Sequence, residues 1–265
     1  TTEIYTLSLH DALPILWEAK LPGLLEVVAG PVISGDGVYI GTSGKSARCH
    51  DLATGRELWS VPLTGEIEAA PLPLPRGILF ATTAGQVVLL EQLTGRTIWR
   101  TATAAGVHAA PALRGRQLFV PLASGQVAVL DADSGARGET FQAGGSIRST
   151  PLLTADRLLA AATDGKVYGF PLDGRGRPWI FFHGVSLRHA ALVDLGGGAL
   201  LVGRDDGRLF RLDSGGEPTC EFDLQACLAG GPILVGKRIY VAVSERGGGD
   251  RLLCVDSEKI GRAHV

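Results

Sequence analysis

The sequence of 265 residues lacks several features that would place it in other classes of protein. It has no run of about 18 or more uncharged apolar residues, so we expect no transmembrane segment. Its 25 basic and 27 acidic residues nearly cancel, so we expect charge to hold it to neither nucleic acid nor an anionic membrane. Four cysteines are too few for a disulfide-built scaffold. The 37 glycines and 14 prolines have no triplet period, which favours a turn-rich β protein over collagen.

Methionine is absent altogether, even at position 1. The two ends also look foreign to the rest, because TLSLHDALPI near the start and IGRAHV at the end each resemble one reading frame of common sequencing adapters. We therefore expect residues 1–15 to be an adapter-like, non-native extension and residues 260–265 an adapter-like, non-native tail, with a native extension and tail as the alternative. The domain under study is then residues 16–259.

A period of about forty residues runs through this domain. A turn glycine before an apolar run recurs at Gly44, Gly85, Gly125, Gly165 and Gly207. A second landmark of the unit is a proline, at Pro31, Pro71, Pro111, Pro151 and Pro232. A sustained repeat of this length is typical of stacked modular folds.

Each unit is predicted to be a four-stranded meander. In the second unit the strands are expected at 67–74, 78–83, 86–93 and 97–103, bounded by glycine and proline turns. The middle strands are apolar on consecutive residues, so both faces of each sheet must be covered by neighbours. The sequence therefore predicts an all-β protein, a β-propeller built from four-stranded blades, with a β-sandwich as the second choice.

The number of blades is left open by the sequence. Residues 16–22 read as an outermost strand, five full meanders follow, and residues 230–256 supply three further strands. One strand and three strands would together make a sixth blade, so the ends are able to clasp into a closed six-bladed ring. An arc of a larger ring with seven or eight blades is the alternative.

The link between the third and fourth strands is the most specific part of the repeat. Residues 51–59 and 91–99 both fit the template D/E-x-x-T-G-x-x-h-W, and Asp131 to Gly135 and Asp213 to Gly215 keep its first half. This resembles the tryptophan-docking repeat of the pyrroloquinoline-quinone-like (PQQ-like) propellers, and the resemblance covers essentially the whole domain. The tryptophans are expected to dock structurally between blades, at Trp17, Trp59, Trp99 and Trp179.

The resemblance implies two kinds of function. Quinone-dependent alcohol and sugar dehydrogenases of the superfamily hold PQQ and a calcium ion on the ring axis, with an Asp base, carboxylate and amide ligands and, in several, a vicinal cysteine pair. This sequence has no adjacent cysteines and no asparagine, and the family ring is about twice as long. We therefore predict no cofactor, no metal site and no catalytic residues, and keep a fragment of a PQQ-dependent dehydrogenase as the alternative.

Other members of the superfamily are not enzymes. They include a lipoprotein that assists outer-membrane β-barrel assembly, and propellers fused to kinases or to adenylate-forming enzymes. The resemblance thus favours a non-catalytic binding or scaffold module for a protein or small-molecule partner. A protein partner of unknown identity is expected, and the periplasm or cell envelope is favoured slightly over the cytoplasm.

One set of residues stands out as a candidate binding site. Polar side chains lie three residues before the landmark proline in successive units, at Glu68, His108 and Arg148, and Arg188 takes the same place where alanine replaces the proline. Because this strand is the innermost of each sheet, the four are predicted to line the mouth of the central channel. The alternative is a solvated channel with charges of both signs.

The remaining candidates are weaker. Cys220 and Cys227 are expected to be buried free thiols, with a disulfide in an oxidising compartment as the alternative. Asp205-Asp206-Gly207 is interpreted as a β-turn rather than as part of a calcium loop. Phe181 and Phe182 are either blade packing or, if solvent reaches them, a surface for a partner.

Overall fold

The computed structural model describes residues 15–21, 26–173, 176–182, 184, 192–229, 231–245 and 248–257. Within these ranges the chain forms strands and turns with no helix, and the strands make six antiparallel sheets. No helix among the described residues is long and apolar enough to cross a membrane. The predicted end segments 1–15 and 260–265 lie almost entirely outside the described residues, so those boundaries stay predictions.

The strands follow one another along the chain, sheet by sheet. Sheet 1 contains β1 (Val32–Ser34), β2 (Gly37–Gly41), β3 (Ser46–Asp51) and β4 (Glu57–Pro62). Sheet 2 contains β5 (Leu72–Leu74), β6 (Gly77–Ala81), β7 (Gln86–Leu90) and β8 (Thr97–Ala102). Sheet 3 contains β9 (Ala112–Arg114), β10 (Gln117–Pro121), β11 (Gln126–Asp131) and β12 (Arg137–Gln142).

The second half of the chain repeats the pattern. Sheet 4 contains β13 (Leu152–Leu153), β14 (Arg157–Ala162), β15 (Lys166–Pro171) and β16 (Trp179–Phe182). Sheet 5 contains β17 (Leu192–Gly196), β18 (Ala199–Gly203), β19 (Arg208–Leu212) and β20 (Pro218–Asp223). Sheet 6 contains β21 (Cys227–Leu228), β22 (Ile233–Val235), β23 (Arg238–Ser244) and β24 (Asp250–Asp256).

The first strand of sheet 2 is shorter than predicted. In sheet 2 regular pairing begins at Leu72, whereas the pattern places the strand start at Ile67. Pro71 explains the break, because proline has no N–H to donate to a ladder. The segment before it still contacts the neighbouring sheet, since the N–H of Ile67 donates to the carbonyl of Thr42, the residue after β2.

The sheets stack on one another through apolar cores that lie between them. Val88 and Leu90 of β7 pack toward sheet 1, and Val87 and Leu89 of the same strand pack toward sheet 3. Five such cores join the six sheets in chain order. The first strands of neighbouring sheets also approach each other, which makes them the inner strands. The β-propeller prediction is confirmed, and the β-sandwich is wrong.

Two of the predicted turn glycines, Gly44 and Gly215, lie in turns, but in each turn the left-handed backbone is at the next residue. In the first unit Lys45, and not Gly44, has the left-handed backbone with a φ of 60°, and it matches Gly85, whose φ is 77°. In sheet 5 the turn glycine with positive φ is Gly216, with a φ of 83°, and not Gly215. An exact forty-residue spacing from Gly85 would have given the first of these positions.

Sheet 6 differs from the other five in its edge. β21 and β22 both pair with one edge of β23 and β24 pairs with the other, so β24 is the last strand of the sheet among the described residues. The predicted outermost strand at 16–22 is also wrong for residues 15–21, which belong to no strand. Among the described residues, therefore, no segment pairs with the outer edge of β24 to complete the sixth blade.

Candidate functional site

The candidate site lies on the segments that lead into the inner strands. Glu68 precedes β5, His108 precedes β9 and Arg148 precedes β13, each three residues before the proline. On both sides of Glu68 the chain is buried, with Ile67 and Ala69 at 0% and 1% exposure. Glu68 itself is half-buried, so its side chain reaches solvent between these two buried neighbours.

The structure brings two of the predicted residues together across neighbouring sheets. The Nδ1 atom of His108 lies 2.7 Å from Oε2 of Glu68, a hydrogen-bonded contact in which the ring N–H donates to the carboxylate. The two side chains are 17% and 32% exposed, so the pair is partly shielded from water. A charge-assisted bond of this kind fixes both side chains at the junction of sheets 2 and 3.

Arg148 is placed differently. It is exposed, and it makes no hydrogen bond or ion pair with any residue that the structure describes. Its guanidinium is therefore free to meet a carboxylate or a carbonyl of a partner. Arg188 lies outside the described residues, so its predicted place in the channel mouth stays a prediction.

At the described positions of this repeat, the polar side chains lie in sheets 2, 3 and 4. The equivalent positions in sheets 1 and 6 are Val28 and Ala229, both exposed and uncharged. The arrangement is thus a sector with an acid, an imidazole and a guanidinium, beside an uncharged sector. Such a sector offers donors and acceptors for peptide groups and a positive charge for an acidic side chain.

The described residues contain no group of three or more His, Cys, Asp or Glu side chains that is able to hold a metal ion. Asp205 and Asp206 lie in a β-turn, as predicted, because the N–H of Gly207 donates to the carbonyl of Arg204 at 2.9 Å. The Arg204 guanidinium bonds to Asp206 and holds the pKa of that carboxyl below its usual value. This interaction accounts for Asp206 without a cation.

The tryptophans link each sheet to the next. The indole N–H of Trp59 donates to the carbonyl of Gln92 at 2.9 Å, and that of Trp99 to Ala132 at 3.0 Å. The ring of Trp59 lies against Gly95, where a Cβ would come within 2.7 Å of it. Trp17 docks in the same way, through a 2.9 Å bond to the carbonyl of Leu52.

Trp179 departs from this pattern. Its ring lies against Gly216, where a Cβ would approach it to 2.4 Å, but its buried Nε1 has no hydrogen-bond partner. A buried donor without an acceptor is destabilising, so this docking contact is weaker than the others.

The first residue of the docking motif has a role that the sequence reasoning missed. Asp51 accepts hydrogen bonds from the hydroxyl of Thr54 at 2.6 Å and from its N–H at 2.8 Å. Asp131 does the same with Ser134. The hydroxyl bond is the main cause that holds the pKa of each carboxyl below its usual value. The D-x-x-T/S spacing was itself the signal, because it lets the carboxylate accept from the hydroxyl and the N–H of the residue three positions on.

The predictions for the two cysteines and the two phenylalanines are each confirmed in part. Cys220 and Cys227 are free thiols, and both are half-buried rather than buried. Phe181 packs edge-on against Phe210 of sheet 5, with ring centroids 5.5 Å apart, which is blade packing. Phe182 is 64% exposed, so solvent does reach this one aromatic ring.

Comparison with known protein families shows to which family the chain belongs. The profile of the PQQ_2 family, described as outer membrane protein assembly factor BamB, matches residues 14–179. The chain belongs to this family. The chain has no significant match among curated proteins.

Solved structures support the same fold. BamB from Moraxella catarrhalis is 22% identical, with a TM-score of 0.61 over 94% of this chain and 87% of that one. The computationally designed Ika8 protein is 15% identical, with a TM-score of 0.70 over 86% of this chain and 70% of that one. At these identities the likeness shows the fold alone. A BamB-family propeller with an exposed polar sector is, in general terms, a binding or scaffold module.

Proposed function

We propose that the chain is a non-catalytic scaffold that binds a protein partner at the mouth of its channel, within the bacterial cell envelope. The observation that carries this proposal is Arg148, exposed and unbonded among the described residues, on the same face as the Glu68–His108 pair. Family membership supports the envelope location, because the family is described as an outer membrane protein assembly factor.

The arrangement of these side chains is better suited to binding a peptide than to catalysing a reaction. The Glu68–His108 contact links two sheets, so these side chains are held by each other. The second oxygen on the carboxylate is able to accept a hydrogen bond from a peptide's N–H group, and the guanidinium of Arg148 is able to donate to a peptide's carbonyl. The guanidinium of Arg148 adds a charge that would recognise an acidic side chain or a chain terminus.

Complementation tests the proposal directly. The chain is exported to the periplasm of a Gram-negative strain that lacks its own assembly factor of this family, and folded outer-membrane proteins are measured. We expect wild type to raise their level, and the combined variant Glu68→Ala, Arg148→Ala and Arg188→Ala to lose most of that gain. The matched control is Arg100→Ala with Glu139→Ala, two exposed residues on the outermost strands, which should restore as wild type does.

The proposal fails if the channel variant, produced at the same level, restores outer-membrane proteins as well as wild type does. It also fails if the outer-strand control loses the gain and the channel variant keeps it, because the partner would then bind the outer wall.

A further inference from the structure

The cores between neighbouring sheets share a pair of side chains near the outer wall. One member lies on the last strand of a sheet and the other on the next sheet, and both recur about every forty residues. In four of the five cores both members are aromatic or aliphatic, and they are Val61 with Val88, Phe141 with Tyr168, Phe181 with Phe210, and Phe222 with Leu253. Phe181 and Phe210 contact each other, with ring centroids 5.5 Å apart. The pair therefore fills the space between the outer parts of two sheets.

The core between sheets 2 and 3 is the exception. It has Thr101 and Ala128 at these positions, and both side chains are short. A cavity of about 100 Å³ lies at this junction, with Ala128 and Leu130 of β11 and Gly138 of β12 in its wall. Gly138 has no side chain to fill it. The cavity thus lies where the repeat has lost volume, and it forgoes the van der Waals contacts that the pair makes elsewhere.

The wall of the cavity is apolar where it is buried and polar where it meets solvent. Leu122 and Leu130 are each 1% exposed, whereas Arg137 and Thr140 are exposed. Of the residues that form the wall, Arg137 alone is charged. Such a wall suits a ligand that has a small apolar body and one negative charge.

The neighbouring sheet holds Arg137 in place at the cavity. Its Nη2 atom donates to the carbonyl of Ala102, the last residue of β8 in sheet 2. Among the described residues no carboxylate forms an ion pair with this guanidinium. Its other N–H groups are therefore available to bind the carboxylate of a ligand.

We propose that this cavity binds a short aliphatic carboxylate with about four or five carbons, a size that suits its volume of about 100 Å³, since an apolar cavity of roughly 150 Å³ holds benzene. The carbons take the place of the larger side-chain pair of the other cores, and the carboxylate accepts hydrogen bonds from Arg137. A free acid fits better than a side chain of a protein partner. Because Arg137 spans the gap between sheets 2 and 3, a partner's backbone would have to displace it, whereas a small acid enters beside it.

A nuclear magnetic resonance titration with 3-methylbutanoate tests the proposal. In wild type we expect saturable shifts that are largest at the methyl groups of Leu122 and Leu130. Ala128→Val introduces the residue that sheet 2 has at the equivalent position, and it should abolish binding. Gly138→Leu is a second filling variant that should do the same, because a Cβ there comes no closer than 3.4 Å to its nearest neighbour, the carbonyl oxygen of Val129. Urea denaturation checks that each variant is folded.

The role of the charge is tested separately. Arg137→Gln should weaken binding by about tenfold or more, because hydrogen bonds to a charged group are lost. Arg114→Gln is the matched control, since Arg114 is also exposed in sheet 3 and donates to a carbonyl of the next sheet, but it is not part of the cavity wall. The alcohol 3-methylbutan-1-ol has the same carbon skeleton without the charge, and it should bind wild type and Arg137→Gln alike.

The absence of saturable shifts in wild type overturns the proposal, as does binding of the acid to Arg137→Gln that equals binding to wild type. Binding that survives in both folded filling variants also overturns it, because the acid would then lie elsewhere. Tighter binding of N-acetyl-leucine than of 3-methylbutanoate would show that the site takes the end of a polypeptide chain, and the free-acid assignment would be wrong.

Discussion

Replacing Trp99 and Trp179 separately by phenylalanine would measure what the indole hydrogen bond contributes to blade docking. Both changes remove the same atoms from a ring that lies against a glycine of the next sheet. Only Trp99 donates a hydrogen bond, to the carbonyl of Ala132, whereas the buried N–H of Trp179 has no acceptor. The difference between the two variants therefore isolates the bond from the packing.

The expected magnitude follows from the cost of unpaired buried groups. Trp99→Phe leaves a carbonyl without its donor, which costs about 1–3 kcal/mol in addition to the lost packing. Trp179→Phe loses the same packing, but it also removes a buried donor that was already unpaired. Removing that donor offsets the packing loss by about 1–3 kcal/mol. We expect Trp99→Phe to lower the free energy of unfolding by at least about 2 kcal/mol more than Trp179→Phe does.

Urea denaturation followed by circular dichroism provides the assay, with the slope against urea checked for each variant. Trp59→Phe is the control, because Trp59 donates to Gln92 at 2.9 Å and should lose as much as Trp99→Phe. Equal losses for Trp99→Phe and Trp179→Phe would refute the reasoning, since the hydrogen bond would then contribute nothing to docking.

Three further predictions concern the turns and the cofactor. Lys45→Gly should raise the free energy of unfolding by about 0.5–1 kcal/mol, because Lys45 has a φ of 60° and a left-handed backbone strains any residue with a Cβ. Lys45→Ala is the control, since it keeps the Cβ and should gain no stability in the same urea titration. The pKa values of Asp51 and Asp131 are lower in the folded chain than in the unfolded chain. Their contribution to folding stability is therefore fully present above the unfolded Asp pKa of about 3.9, and it is lost as the pH falls through the folded pKa values. Denaturation midpoints measured from neutral to acid pH should thus fall less steeply for the double Asp→Asn variant, and an unchanged acid slope would contradict this account. Adding PQQ and Ca²⁺ should leave the quinone absorbance as in free solution and reduce no dye with alcohols or sugars, whereas a bound spectrum with dye reduction would identify a dehydrogenase.

The repeat made most of the fold predictable. The forty-residue period, the double-faced apolar strands and the docking motif are local features, and each unit has to bury its faces on the next. This is why residues 86–103 form strands close to where the pattern places them. Exact strand ends were less predictable, because Pro71 removes a donor from the inner strand of sheet 2 and regular pairing begins only at Leu72.

The contacts between units were harder to predict. The three-residue offset from the proline placed Glu68 and His108 in neighbouring sheets, but not their 2.7 Å contact, which depends on side-chain rotamers across two sheets. The missing acceptor of Trp179 was not predicted either, although the residues before Trp179 depart from the docking template that Trp59 and Trp99 fit. Whether the ends meet depends on how far each sheet rotates from the last, which no single repeat encodes.

Site-directed photo-crosslinking tests the central claim most directly, that the partner contacts the channel mouth. A photoreactive residue replaces Arg148 at the mouth or Arg100 on the outer wall, and the exported protein is irradiated in living cells. The account predicts a discrete protein adduct from position 148 that is absent from position 100 and is lost when Glu68→Ala is added. Adducts from position 100 alone, or none from position 148 in cells where the chain restores outer-membrane proteins, would contradict it.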